Sequence, residues 1–235
     1  MAESGFDSFA RDRLPPPERM PTFVYGLPEL QRLPARMNCA GRLLDRWVAS
    51  GQGDRPCVLG TAPDGTPIRW TYADLQREAN RIARVLVEDQ GLRPGQRVLL
   101  RGANSPMLAA CWFAVVKAGA IAVGTMPLLR ARELVGIIDK AQVTHALCDA
   151  RLAEELALAQ PQCPTLTHVL HFNRGSLEDA AQRKLPQFDT VDTAADDTCV
   201  IAFTSGTTGQ PKAAMHFHRD VMAAAACWPP HVLRA

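Results

Sequence analysis

The chain lacks the marks of several large protein classes. None of its 235 residues falls in a run long and apolar enough to span a membrane as a helix. Its first residues, Met1-Ala2-Glu3-Ser4-Gly5, have no apolar signal core, so a cytoplasmic setting is expected and secretion is not. Charge is nearly balanced, 26 Lys and Arg against 24 Asp and Glu, and the signs are interspersed. That balance gives no basic face for nucleic acid and no case for an acidic partner. The seven cysteines (Cys39, Cys57, Cys111, Cys148, Cys163, Cys199 and Cys227) are odd in number and never spaced C-x-x-C. Buried reduced thiols are expected from them, not a disulfide framework or a zinc site. Internal repeats and low-complexity tracts are also missing.

What remains is the composition of an ordinary globular protein, 47% apolar and 21% charged, with length for one large domain or two small ones. Residues 1–37 form a proline-rich arm, with Pro15-Pro16-Pro17, Pro21, Pro28 and Pro34. Phe23, Val24, Tyr25 and Leu27 are expected to pack that arm on a body. Asn38 caps a helix running to about Ser50. Cys57-Val58-Leu59 and Ile68-Arg69-Trp70 flank a turn at Pro63-Asp64-Gly65, a hairpin signal. Thr71 and Asp74 resemble a capping box that opens a helix to about Gln90. Short apolar runs at Val98–Leu100, Ala120–Val123, Thr144–Cys148, Val169–Phe172 and Cys199–Phe203 then alternate with helical patterns. Those helices start near Pro106, Arg130, Arg151 and Leu177. Strands alternating with helices imply an α/β fold with a mainly parallel sheet flanked by helices.

The last of those strands feeds Thr204-Ser205-Gly206-Thr207-Thr208-Gly209-Gln210-Pro211-Lys212. Gly206 and Gly209 let the backbone turn tightly and approach a ligand. Successive N–H groups in such a loop make an anion-binding concavity. Thr204, Ser205, Thr207 and Thr208 add hydroxyl donors, and Lys212 adds a positive charge suited to phosphate. The Walker A pattern fails, because Lys212 is followed by Ala213 and Ala214 and the glycine spacing is wrong. The dinucleotide pattern G-x-G-x-x-G fails as well. Ala213, Met215 and Phe217 alternate with Ala214, His216 and His218, so a second strand is expected and the loop would join two strands. On that strand His216 and His218 would share a face. They could touch substrate or bind metal, but with no cysteine or carboxylate partner near in sequence, packing or hydrogen bonding is the expected role of both.

Phe203 to Lys212 resembles the phosphate-binding signature of the adenylate-forming (AMP-dependent synthetase/ligase) superfamily. Trp70–Leu75, Ala79-Asn80-Arg81, Leu92–Val98, Asn104-Ser105-Pro106 and Val116–Ala120 are similar to other stretches of that superfamily, so the resemblance runs from about residue 40 to the end. Within it, Gly124–Leu134, Ala146–Leu152 and Met215–Asp220 look like benzoate- and 2-aminobenzoate-CoA ligases. Ala213 departs from the glycine usual after the lysine.

The resemblance implies two half-reactions. A carboxylate attacks the α-phosphate of ATP to give an acyl-adenylate and pyrophosphate, and the thiol of coenzyme A then displaces AMP. Thr204, Ser205, Gly206, Thr207, Thr208, Gly209 and Lys212 would hold the ATP phosphates. Mg²⁺ would keep its waters and sit on the phosphates, with no protein cage of its own. The implied partners are an aromatic carboxylate, ATP and coenzyme A, and a homodimer is an allowed assembly. Residues 38–235 then correspond to the N-terminal part of the AMP-binding domain, cut after the phosphate loop. No catalytic residue is identifiable, and a fragment of this kind is expected to be inactive alone. Two alternatives stand beside the acid–CoA ligase: a non-catalytic nucleotide-binding or interaction module, and an adenylation domain acting with a carrier protein.

Overall fold

The computed structural model describes residues 6–62, 65–204 and 212–233. After a single turn, α1 (Pro28–Gln31), a π-helical turn at Gly41–Asp45 runs into α2 (Arg46–Ala49). Strands β1 (Pro56–Thr61) and β2 (Pro67–Thr71) then pair antiparallel as a separate two-stranded sheet. Thr71 begins α3 (Tyr72–Arg84) through a true capping box. Its hydroxyl accepts from the Asp74 N–H at 3.1 Å, and the Asp74 carboxylate accepts from the Thr71 N–H at 2.9 Å.

The main body alternates strand and helix: β3 (Arg97–Arg101), α4 (Pro106–Lys117), β4 (Ile121–Thr125), α5 (Ala131–Ala141), β5 (His145–Asp149), α6 (Ala153–Ala159), β6 (His168–Phe172), α7 (Ser176–Gln182), β7 (Thr198–Thr204), β8 (Lys212–Phe217) and α8 (His218–Trp228). The six-stranded sheet has the order β6-β5-β3-β4-β7-β8, parallel throughout except for β8 on β7. Every residue of β3 and β5 is buried. Strands covered on both faces read as unbroken apolar runs, which is why these two are so plain in the sequence.

Successive side chains of one strand enter different cores. Val98 and Leu100 of β3 join Leu75, Ile82, Val115 and Leu177 of α3, α4 and α7. Leu99, between them, joins Leu134, Ile138 and Leu156 of α5 and α6 on the other face. Three layers result, helix on sheet on helix. Each fully buried Leu or Ile contributes roughly 1.5–3 kcal/mol of transfer free energy.

The N-terminal arm is fastened at its start as well as at the residues expected. The Asp7 N–H donates to the Pro94 carbonyl at 2.8 Å, and its carboxylate meets the buried Arg97 at 2.7 Å. Ala10 enters the second core. Of the residues expected to pack, Phe23 lies edge-on to Phe217 and under the Arg219 guanidinium at 4.1 Å, and Tyr25 and Leu27 are half-buried, while Val24 is 84% exposed. The fit at Gly95 is close: φ is +83°, and a Cβ there would lie 2.1 Å from the Asp7 carbonyl oxygen. Further along, Met37 and Ala195 donate backbone N–H groups to Thr193 and Ala35, which ties the end of the arm to the segment before β7.

A buried ion pair joins two other distant segments. Lys117, at the end of α4 and 1% exposed, bonds to Asp45, which also accepts from Gln76 at 2.8 Å and Thr190 at 2.7 Å. No helix among the described residues is long and apolar enough to cross a membrane.

Candidate functional site

The carboxyl ends of β3, β4, β5, β6 and β7 open on one rim of the sheet, where open α/β sheets hold their ligands. The predicted phosphate loop leaves from this rim. Thr204 is the last residue of β7 and Lys212 the first of β8, and the antiparallel register places them opposite each other. Both are exposed. Ser205, Gly206, Thr207, Thr208 and Gly209 lie outside the described residues. The strand-to-strand connection expected from the alternating residues is therefore present on both of its flanks: β7 enters and β8 leaves, paired from Thr198↔Phe217 to Thr204↔Lys212.

Beside β7, β4 sets Gly124 opposite Ala202, so the segment after Thr125 borders the same rim. Here the sequence reading missed a structural anchor. Arg101, at the end of β3 and 1% exposed, donates to the carbonyls of Met126, Pro127, Leu129 and Leu152 at 2.9–3.3 Å. One planar guanidinium thereby shapes the 126–129 segment, which holds Met126 and Leu128 out toward solvent. An arginine ending an otherwise apolar strand, Val98-Leu99-Leu100-Arg101, was the available signal. At the end of β5 the buried Asp149 accepts from the Arg151 guanidinium at 2.6 and 3.0 Å and from Asn173 at 2.7 Å. Arg151 chiefly holds that carboxylate below its ordinary range. These are bonds that order loops; neither group is left free for chemistry. A cavity of about 520 Å³ lies between α6 and β6, lined by Leu156, Gln160, Thr167, Val169 and His171, and it contains none of the predicted residues.

The histidine pair requires a correction. His216 lies on β8 and is exposed, but β8 stops at Phe217 and His218 opens α8. The Phe217 N–H donates to the Asp220 carboxylate at 2.8 Å, which starts the helix and ends the alternation. His218 is buried, not beside His216, and it meets two cysteines remote in sequence. Its Nδ1 accepts from the Cys39 N–H at 3.1 Å and lies 3.2 Å from the Cys39 sulfur. Cys199 completes the group, its thiol directed to the His216 carbonyl at 3.6 Å. The neighbouring Cys199 sulfur, with help from His218, lowers the Cys39 thiol below its ordinary range. The same contact and burial raise Cys199. Cys39, Cys111, Cys148, Cys163 and Cys199 are buried free thiols, as the sequence suggests; Cys57 and Cys227 are half-buried.

Comparison with known proteins agrees with this layout. A curated crotonobetaine/carnitine–CoA ligase of Salmonella typhimurium is 30% identical over 189 residues, 74% of this chain and 35% of that protein. The benzoate–CoA ligase of Thauera aromatica is 26% identical over 199 residues, 83% of this chain and 37% of that protein. The chain thus spans about a third of the length of these relatives. Among solved structures, ATP-bound MatB from Rhodopseudomonas palustris superposes with a TM-score of 0.67 at 31% identity, covering 82% of this chain and 37% of that one. The anthranilate CoA ligase AuaEII, solved with anthranoyl-AMP, superposes with a TM-score of 0.78 at 24% identity, covering 86% and 38%, a likeness of fold. The pattern of AMP-binding enzymes matches residues 45–234, from Asp45 beyond β8. With most of its length inside that match, the chain belongs to the AMP-binding enzyme family.

Proposed function

We propose that this chain is the phosphate-gripping N-terminal part of an ATP-dependent acid–CoA ligase that activates an aromatic carboxylate of the benzoate or 2-aminobenzoate kind. The observation that supports the reading is the β7–β8 pairing, which sets Thr204 and Lys212 opposite each other on the rim where the carboxyl ends of the parallel strands gather. A polar residue and a cation emerging there suit a triphosphate, because Lys acts as a point charge on phosphate oxygens. When ATP is bound, the Lys212 ammonium and the hydroxyls of Thr204, Ser205, Thr207 and Thr208 offset charge growing on the β- and γ-phosphates as pyrophosphate departs. Gly206 and Gly209, lacking a Cβ, would let backbone N–H groups approach the phosphates. Mg²⁺, if it joins the phosphates, would add positive charge there, and Thr207 or Thr208 would meet it through its waters. Coenzyme A is the proposed acceptor of the acyl group. Aromatic acids are favoured by the likeness to the Thauera benzoate–CoA ligase and by the Gly124–Leu134 and Met215–Asp220 stretches.

Two measurements test this. Equilibrium binding of ATP to the 235-residue chain should weaken by about 10-fold or more in Lys212→Ala, the loss of a charge-assisted bond worth about 1.5–3 kcal/mol. Equal ATP affinity in the two chains refutes the grip. In the longest reading frame that contains the chain, AMP release with benzoate or 2-aminobenzoate and coenzyme A should exceed that with crotonobetaine or carnitine. The reverse order refutes the aromatic assignment, and dependence on a carrier protein refutes free coenzyme A as acceptor.

A further inference from the structure

The group formed by Cys39, Cys199 and His218 has no part in the reading above. Its residues come from three separate places: the helical segment that leads into the Gly41–Asp45 turn, the second residue of β7, and the first residue of α8. All three are buried, and their donor atoms lie within 4.8 Å of one another. We propose that these residues form a binding site for one thiophilic divalent cation of the zinc class, held by two thiolates and one imidazole, with water as the fourth ligand.

Four observations support it. The donor set is soft, two sulfurs and a nitrogen, which selects zinc-like ions over magnesium or calcium. The spacing is close to what the ion needs. Tetrahedral zinc, with bonds of about 2.3 Å to sulfur and about 2.0 Å to nitrogen, holds its donors roughly 3.5–3.8 Å apart. The Cys39 sulfur and His218 Nδ1 are 3.2 Å apart now, and no pair exceeds 4.8 Å, so loading requires only small side-chain shifts. Charge also balances: two thiolates and a neutral imidazole cancel a divalent cation, and a buried neutral complex avoids the large cost of an unpaired charge. Finally, Cys199 lies at the end of β7 remote from the rim and His218 directly follows the same end of β8, the two strands running out to the rim and back. An ion there would clip the base of the candidate phosphate hairpin to the residue-39 segment. Loading releases the two thiol protons, and the N–H···N contact from Cys39 gives way to the metal–nitrogen bond.

The test uses the reduced, metal-free 235-residue chain and Co²⁺ as a spectroscopic probe. One ion per chain should bind, with a thiolate-to-cobalt charge-transfer band and the visible bands of a tetrahedral site, and Zn²⁺ should displace it. Cys39→Ser, Cys199→Ser and His218→Gln should each lose the band, while the double variant Cys57→Ser/Cys227→Ser keeps it. Should the buried variants fail to fold, the unaltered chain decides the matter: Zn²⁺ must protect Cys39 and Cys199, and no other cysteine pair, from alkylation mapped by mass spectrometry. Absence of the band, a band unaffected by removal of Cys39 or Cys199, or alkylation of both at an unchanged rate with Zn²⁺ overturns the proposal.

Discussion

Replacing Asp45 by Asn should unfold this protein more readily than its surface position suggests. Lys117 is 1% exposed, and its ammonium bonds to Asp45. Asp45 Oδ1 also accepts from Gln76 and Oδ2 from Thr190, so one carboxylate satisfies three donors from α3, α4 and the segment before β7. Asn keeps the shape but removes the charge and turns an NH₂ toward groups that are themselves donors. Breaking a buried pair by removing one partner typically costs about 3–5 kcal/mol, because the other charge is stranded. The Asp45 side chain is 27% exposed, so water partly compensates and the expected loss is about 3 kcal/mol. For a chain of this size that is a fall of about 6–12 °C in Tm. Lys117→Met removes the buried charge itself and leaves Asp45 with two donors; it should cost only about 1 kcal/mol. The double variant should resemble Lys117→Met. Urea unfolding of the four proteins provides the cycle. A loss below about 0.5 kcal/mol in Asp45→Asn, or one no larger than that of Lys117→Met, refutes the reasoning. The pH dependence adds a check. Burial lowers the Lys117 pKa despite the opposing pull of Asp45. The unfolded chain therefore binds this proton more tightly, and stability should rise with pH toward the ordinary lysine value. Asp45→Asn should extend that rise to lower pH.

Three other outcomes are expected. Gly95→Ala places a methyl against the Asp7 carbonyl at a left-handed φ, so the arm should lift, which limited proteolysis before residue 20 would detect; an unchanged cleavage pattern counts against the contact. Arg101→Leu leaves four carbonyls without their donor and should cost about 2–4 kcal/mol, with faster hydrogen exchange at residues 126–130; exchange confined to other segments would refute the anchoring role. His145 donates to the Gln90 carbonyl and stacks on His168 at 4.5 Å, and burial first, with His168 adding, lowers its pKa. Folded His145 resists protonation, so stability should fall as pH drops through its folded value, and His145→Asn should flatten the acid side of the stability curve.

How much of this is legible in the sequence depends on the range of the cause. Val98–Leu100 and Thr144–Cys148 read as strands because they are short apolar runs, and Thr71 with Asp74 reads as a helix start because the two ends of that bond are three residues apart. That the segment between Thr204 and Lys212 joins two strands follows from local alternation alone. Strand order does not, since nothing near Ala122 announces that Val200 will lie beside it. Lys117 falls in a family-like stretch, yet its partner Asp45 is set only by folding. His218 shows local evidence misread: Asp220, three residues after Phe217, was a helix-start signal that outweighed the period-two pattern. Cys39, Cys199 and His218 illustrate the opposite limit, because no spacing rule links residues so far apart.

The strand order also bears on the sequence of assembly. β3, β4, β5 and β6 come from one continuous stretch of chain, and each pairs with a neighbour or near-neighbour in that stretch. β7 can pair only once β4 presents its free edge, and β8 can pair only with β7. Closing the longest loop carries the largest entropy cost, so the hairpin should be the late arrival on a template already laid down. Pulse-labelled hydrogen exchange during refolding should then protect Leu99 and Leu147 before Ile201 and Met215. The segment on which ATP binding is proposed to depend would be the last the protein acquires and the first it gives up.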